Sequence, residues 1–142
     1  MARKRVLFVC IGNSCRSQMA EGFARKYGAD VVDAHSAGLS PAPIVALLTQ
    51  KIMGEKNIDV SGHFPKGLEA VTGAPFDVVI NISGQKMPVP HGVRVEEWKI
   101  RDPIGQSEEV YRQVANEIEQ RVMRLILTLR TGAFDARKAS PG

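Results

Sequence analysis

Apolar residues recur along this chain in two alternating rhythms. Val6 to Val9 is an unbroken apolar run, and Arg5 to Val9 is predicted as a strand covered on both faces. Met19, Ala20, Phe23, Ala24 and Tyr27 then fall at helical spacing, with Gly28 ending that helix. Val31 to Ala37 is predicted as a second strand. Pro43 suits the first turn of a helix, and Ile44, Leu47, Leu48 and Ile52 supply its apolar stripe. Phe76 to Ile82, rich in Val and Ile, predicts a third strand. Val93 and Val95 sit between polar neighbours and predict a short fourth strand near an edge. Ser107, followed by Glu108 and Glu109, opens a long last helix. Its buried face is expected to be Val110, Val114, Ile118, Val122, Leu125, Ile126 and Leu129.

Strands alternating with helices predict an α/β fold, a parallel sheet with helices on both faces. The 142 residues make one domain of ordinary size, 1–142, with Arg130 to Gly142 expected to fray as a tail containing Gly, Ser and Pro. In such sheets ligands bind beyond the carboxyl ends of the strands, where the strand order reverses. The loop after the first strand is therefore the first place to seek a site.

That loop reads Cys10-Ile11-Gly12-Asn13-Ser14-Cys15-Arg16-Ser17. Backbone N–H groups of a tight loop entering a helix converge on one tetrahedral anion. Gly12 and Asn13 are residue types that tolerate positive φ, which a loop folding its amides inward demands. Ile11, Gly12, Asn13, Ser14, Cys15 and Ser17 are accordingly the candidate anion-binding residues. Arg16 can add a two-pronged guanidinium contact. Cys10, in the same positive field, is expected to react as a thiolate at neutral pH. Ser17 either caps the following helix or turns its hydroxyl to the Cys10 sulfur. A thiolate attacking a phosphate ester also needs a proton donor for the departing oxygen. Asp102, stiffened by Pro103, is the candidate acid.

Composition narrows the field. Apolar residues are 44% and charged residues 24%, ordinary for a soluble protein, and no apolar run approaches the roughly 20 residues of a membrane span. The basic start followed by about seven apolar residues imitates a signal peptide only faintly, so a cytoplasmic protein is expected. The net charge of +4 is spread along the chain without aromatic interleaving, which argues against nucleic acid and suits anionic substrates. Two cysteines make no disulfide scaffold. Cys10 and Cys15 lack ligand spacing, and His35, His63 and His91 are scattered, so no metal and no cofactor is expected.

The Cys10 loop, with Ser36-Ala37-Gly38 and Asp102-Pro103, resembles the low-molecular-weight protein tyrosine phosphatases, a family that also includes thioredoxin-coupled-type arsenate reductases. The similarity runs from about Lys4 to Leu129. It implies a flavodoxin-like three-layer sandwich with a four-stranded parallel sheet. It further implies a phosphocysteine intermediate on Cys10, phosphate held by loop amides and Arg16, and Asp102 as acid and then base. Asn13 is implied to hold the loop by bonding Ser36, and Ser17 to stabilise the Cys10 thiolate. Cys15 either packs under the loop or forms a reversible disulfide with Cys10.

The sequence departs from both branches of the family. Ser17 to Gly22 and Asp102-Pro103-Ile104-Gly105 resemble the reductases, without the tyrosines that follow Asp-Pro in eukaryotic phosphatases. Yet the thioredoxin-coupled reductases need resolving cysteines after the third strand, where this chain reads Asn81-Ile82-Ser83-Gly84-Gln85-Lys86-Met87. The leading expectation is a phosphatase acting on phosphotyrosine proteins. The alternative is an arsenate reductase using an external thiol of the glutathione or mycothiol kind. A non-catalytic anion- or phosphotyrosine-binding module is the third reading. The pocket wall is expected to come from residues near Leu39 to Pro43, a stretch without an aromatic to stack on a phenyl ring, and from the loop before Asp102. Trp98 and Phe64 are the candidate stacking residues, and His63 and His91 are candidates for the mouth. Oligomeric state is not legible.

Overall fold

The computed structural model describes residues 3–71, 73, 75–89 and 92–132. The chain runs β1 (Lys4–Cys10), α1 (Arg16–Gly28), β2 (Val32–Gly38), α2 (Leu47–Glu55), a short 3-10 helix (Leu68–Val71), β3 (Val78–Asn81), β4 (Arg94–Glu97) and α3 (Glu108–Thr131). The four strands form one parallel sheet in the order β2-β1-β3-β4. From β1 the chain crosses to one side to make β2 and returns to the other to make β3. The reversal of strand order therefore lies at the carboxyl end of β1, where Cys10 sits.

Alternation along β1 divides the core. Val6, Phe8 and Cys10 face the larger cluster, with Met19, Phe23, Ile52, Ile118, Val122 and Ile126 from the three α-helices. Leu7 and Val9 face the other side, where Leu39, Leu68, Val71, Phe76, Met87 and Val93 cover them. Helical structure thus lies on both faces but unequally, with α-helices on one and the 3-10 turn and loops on the other. Phe8 and Phe23 are fully buried, each contributing about 1.5–3 kcal/mol through burial. Gly28 closes α1 not by a left-handed cap but by close approach. A Cβ there would lie 2.7 Å from Ile126 of α3.

The second helix begins later than its sequence suggested. Pro43 starts no helix, and Ile44 and Leu47 are 58% and 71% exposed rather than part of a buried stripe, while Ile52 is buried. The cause is the loop after β1. Ser40, Ala42 and Ala46 donate their amides to the carbonyls of Ile11, Gly12 and Ser14 at 2.8, 2.9 and 3.0 Å. Amides committed there cannot close helical turns. Two strand ends also shift, to Val32–Gly38 and Val78–Asn81. β4 is a short edge strand, as its polar neighbours predicted. Ser107 caps α3 by accepting from the Val110 amide. Arg130 and Thr131 continue that helix instead of fraying, Arg130 being held by Asp30 and the Tyr27 carbonyl. The remainder of the expected tail, 133–142, lies outside the described residues, as does His91.

Candidate active site

Cys10 ends β1, and the next five residues turn tightly before α1 begins at Arg16. Beyond the three carbonyl contacts already described, the Cys10 carbonyl accepts from the Leu39 amide at 3.1 Å. Four carbonyls of the turn are therefore directed outward to the segment 39–46. A trans peptide points its N–H opposite to its C=O, so the amides that follow them turn toward the centre of the loop. α1 starts without a side-chain cap or an acidic residue in its first turn, which leaves its N-terminus open to an anion.

Gly38 makes this packing possible. A Cβ at that position would meet the Ile11 carbonyl at 2.7 Å and the Asn13 amide nitrogen at 2.8 Å, both backbone. Gly38→Ala is expected to push the loop out of shape, cost about 1–3 kcal/mol of stability and weaken inorganic phosphate binding at least tenfold. Calorimetry that finds wild-type phosphate affinity in this variant would refute the packing argument.

Asn13 holds the loop from within. It is fully buried and has φ 50°, a left-handed conformation that Asn tolerates better than most residues. Its Oδ1 accepts from the Lys66 amide at 3.0 Å and from Gln18 Nε2 at 3.1 Å. Its Nδ2 donates to Ser17 Oγ at 2.8 Å and to Ser36 Oγ at 3.0 Å. Ser17 does not cap α1; its hydroxyl lies 2.8 Å from Cys10 Sγ. Ser36 in turn donates a hydrogen bond from its hydroxyl to the buried Glu21 carboxylate.

Arg16 is nearly as buried. Its Nη1 donates to the Ile82 carbonyl at 2.8 Å and the Ile100 carbonyl at 3.0 Å, tying the ends of β3 and β4 to the loop. Its Nη2 lies 3.6 Å from Asp102 Oδ2. Asp102 Oδ1 accepts from the Ile104 amide at 3.1 Å, so the Asp-Pro turn is closed by the carboxylate itself.

Cys10, Ile11, Gly12, Ser14, Cys15, Arg16, Asp102, Ala42 and Ile104 line one cavity of about 200 Å³. Of the residues singled out from sequence, Asn13, Ser17 and Ser36 stand behind its floor rather than in its wall. Cys15 lines it, but burial pushes its thiol up to about 12, against a hydrogen bond from Thr49 that pulls it down. Both cysteines are free thiols.

Trp98 and Phe64 do not line the cavity. Trp98 packs on Phe8 and borders a separate groove with Glu96, Glu97, Arg121 and Arg124. Phe64 is exposed, with the Lys66 ammonium over its ring. His63 turns inward to Gln18. Ala42, from the stretch Leu39 to Pro43 expected to build the wall, lines the cavity together with Ile104, which follows Asp102 rather than preceding it and was not singled out by sequence. Among the described residues no cluster of acidic, His and Cys side chains could hold a metal ion, and no helix is long and apolar enough to cross a membrane.

Known proteins share this architecture. Residues 5–133 match the model of the low molecular weight phosphotyrosine protein phosphatases. The glutaredoxin arsenate reductase of Synechocystis sp. is 39% identical over 127 residues, spanning 87% of this chain and 96% of that protein. Arsenate reductase 2 of Staphylococcus saprophyticus is 32% identical over 126 residues, spanning 86% and 95%. Among solved structures, an arsenate reductase in its phosphate-binding state superposes with a TM-score of 0.81 at 39% identity, covering 89% of this chain and 98% of that one. An arsenate reductase from Archaeoglobus fulgidus gives 0.77 at 32% identity, covering 85% and 98%. With its fold, its Cys10 loop and a family match over nearly its whole length, the chain belongs to the low-molecular-weight phosphotyrosine protein phosphatase family.

Proposed function

We propose that this protein is an arsenate reductase whose reductant is an external thiol, the reading that the sequence ranked second to a phosphotyrosine phosphatase. One observation carries it. The cavity is about 200 Å³, and its walls beyond the loop are Ala42 and Ile104, with no aromatic side chain to stack on a phenyl ring. That lining suits a small oxyanion better than a phosphotyrosine side chain. The similarity to proteins named arsenate reductases supports the same reading.

The chemistry follows from the residues. Arsenate sits in the loop amides. Because Arg16 Nη1 is engaged with two carbonyls, the Nε–Nη2 edge is the one left to grip the anion. The Cys10 thiolate attacks arsenic, an As–O bond breaks, and Asp102 protonates the departing oxygen, which leaves as water. Ser17 donates to the sulfur and favours its anion. An external thiolate then attacks Cys10 Sγ. The S–As bond breaks with its electron pair going to arsenic, reducing As(V) to As(III), and arsenite leaves. Cys10 is left in a mixed disulfide, and a second external thiol restores its thiolate and carries away the oxidised disulfide. Cys15 is a poor substitute for that thiol, since its proton is held up to about 12. Reliance on a reduced thiol pool fits a cytoplasmic location.

The test is arsenite formation from arsenate with glutathione and a glutaredoxin as reductant, alongside hydrolysis of a phosphotyrosine peptide. Arsenite production is expected to outrun peptide hydrolysis, and Asp102→Asn to lower it by about 10²–10⁴-fold. Efficient peptide hydrolysis without arsenite would return the protein to the phosphatases.

A further inference from the structure

We propose that Gln18 is a positioning residue for Cys10, the second link in a one-way chain of hydrogen-bond donors that starts at His63 and ends on the Cys10 sulfur. The inference rests on Cys10 being the reacting thiol.

Two backbone groups fix the direction of the whole chain. The Lys66 N–H can only donate, so the Asn13 atom 3.0 Å from it is the carbonyl oxygen. Asn13's other terminal atom is then its nitrogen, which can only donate, and it faces Ser17 Oγ at 2.8 Å. The Phe64 carbonyl can only accept, so the Gln18 atom 3.2 Å from it is the amide nitrogen. The same nitrogen donates to Asn13 Oδ1 at 3.1 Å. Gln18's oxygen is left facing His63 Nδ1 at 2.9 Å, which assigns a proton to that ring nitrogen. Ser17 already accepts from Asn13, so its own proton is free for Cys10 Sγ, 2.8 Å away.

The links therefore run His63 N–H to Gln18, Gln18 N–H to Asn13, Asn13 N–H to Ser17, and Ser17 O–H to sulfur. Hydrogen bonds aligned in this way polarise one another, and their positive end meets the atom that becomes an anion. A side branch from Asn13 to Ser36 ends on Glu21, itself held by Arg25 at 3.0 Å with the Lys66 ammonium at 3.9 Å. The other charged groups near the chain are Asp59 beside His63, and Arg16 and Asp102 beside the sulfur. Gln18 is fully buried and does not line the cavity, so it acts only through Asn13. His63, half-buried, is where the chain reaches the surface.

The experiment follows iodoacetamide alkylation of Cys10 against pH, assigned by mass spectrometry within the tryptic peptide Val6–Arg16, which carries both cysteines. Gln18→Met fills similar space but neither accepts from His63 nor donates to Asn13. It is expected to slow alkylation at neutral pH about tenfold and to move the profile to higher pH, with inorganic phosphate affinity within about twofold of wild type. His63→Leu is expected to slow it about threefold, and His63→Asn, whose amide N–H replaces the ring donor, to restore the rate. An unchanged profile in Gln18→Met overturns the proposal. So does a joint loss of alkylation and phosphate binding, which would mean a collapsed loop. Should Gln18→Met not fold, the His63 pair decides, and equal rates in Leu and Asn variants overturn it. Alkylation needs neither arsenate nor reductant. A protein inactive on arsenate that still shows this pattern would refute only the proposed function.

Discussion

Replacing Cys10 by Ser is expected to abolish arsenite formation while leaving inorganic phosphate binding within a few-fold of wild type. The two halves of this result have different physical origins. Binding is the work of loop amides whose carbonyls are tied to Leu39, Ser40, Ala42 and Ala46, and of Arg16, none of which uses the sulfur. Reduction needs an atom that can leave arsenic as part of a disulfide, and an alkoxide oxygen cannot. The loss should therefore reach the background rate, unlike the partial loss from removing a general acid. Isothermal titration with phosphate and an arsenite assay on the same preparation would separate the two. Residual arsenite production by a well-folded Cys10→Ser protein would mean that Cys15 or another group carries the chemistry.

Arg16→Lys, although conservative in charge, is expected to cause a large but partial loss. The guanidinium satisfies the Ile82 and Ile100 carbonyls through one nitrogen and keeps a second toward Asp102, in a side chain only 6% exposed. A single ammonium cannot serve both carbonyls and still present a planar edge to the oxyanion. The expected loss is about 10²–10³-fold in kcat/KM from the missing anion contact. Stability should fall by roughly 1–3 kcal/mol, since a buried carbonyl is left without a donor. Thermal unfolding measured beside the kinetics tests both. A variant with unchanged Tm would show that Arg16 does not brace the ends of β3 and β4.

Much of this site could be read from the chain because its chemistry is local. Cys10, Gly12, Asn13, Arg16 and Ser17 lie within one turn and its helix start, Ser36 lies near the carboxyl end of β2, and Asp102 lies in the connection that follows β4, on the side where a parallel sheet collects its functional groups. The wall stretch Leu39 to Pro43 was legible and supplies Ala42, whereas Ile104 was missed because an apolar residue lining a cavity looks, in sequence, like any other. Gln18 was missed for a related reason. A glutamine in the first turn of a helix is normally solvated, and its burial arises only when the segment from Asp59 to Lys66 folds over α1. No periodicity records that event. The choice between phosphatase and reductase also shifted, because wall residues from distant loops set what the cavity admits.

The order of strands and helices was legible in the sequence alone, as were the position of the Cys10 loop and the three polar residues, Cys10, Arg16 and Asp102, that meet at its cavity. These follow from hydrophobic period and from residue types set close together along the chain. Tertiary structure decided where α2 begins, what lines the cavity and which way each hydrogen bond behind Cys10 runs. Each of those depends on backbone groups brought together from far along the chain. The Lys66 amide orients Asn13 across 53 positions, and the amides of the segment 39–46 hold the loop carbonyls outward. A donor's direction is a property of its neighbours in space, so it could be read only once the fold had assembled them.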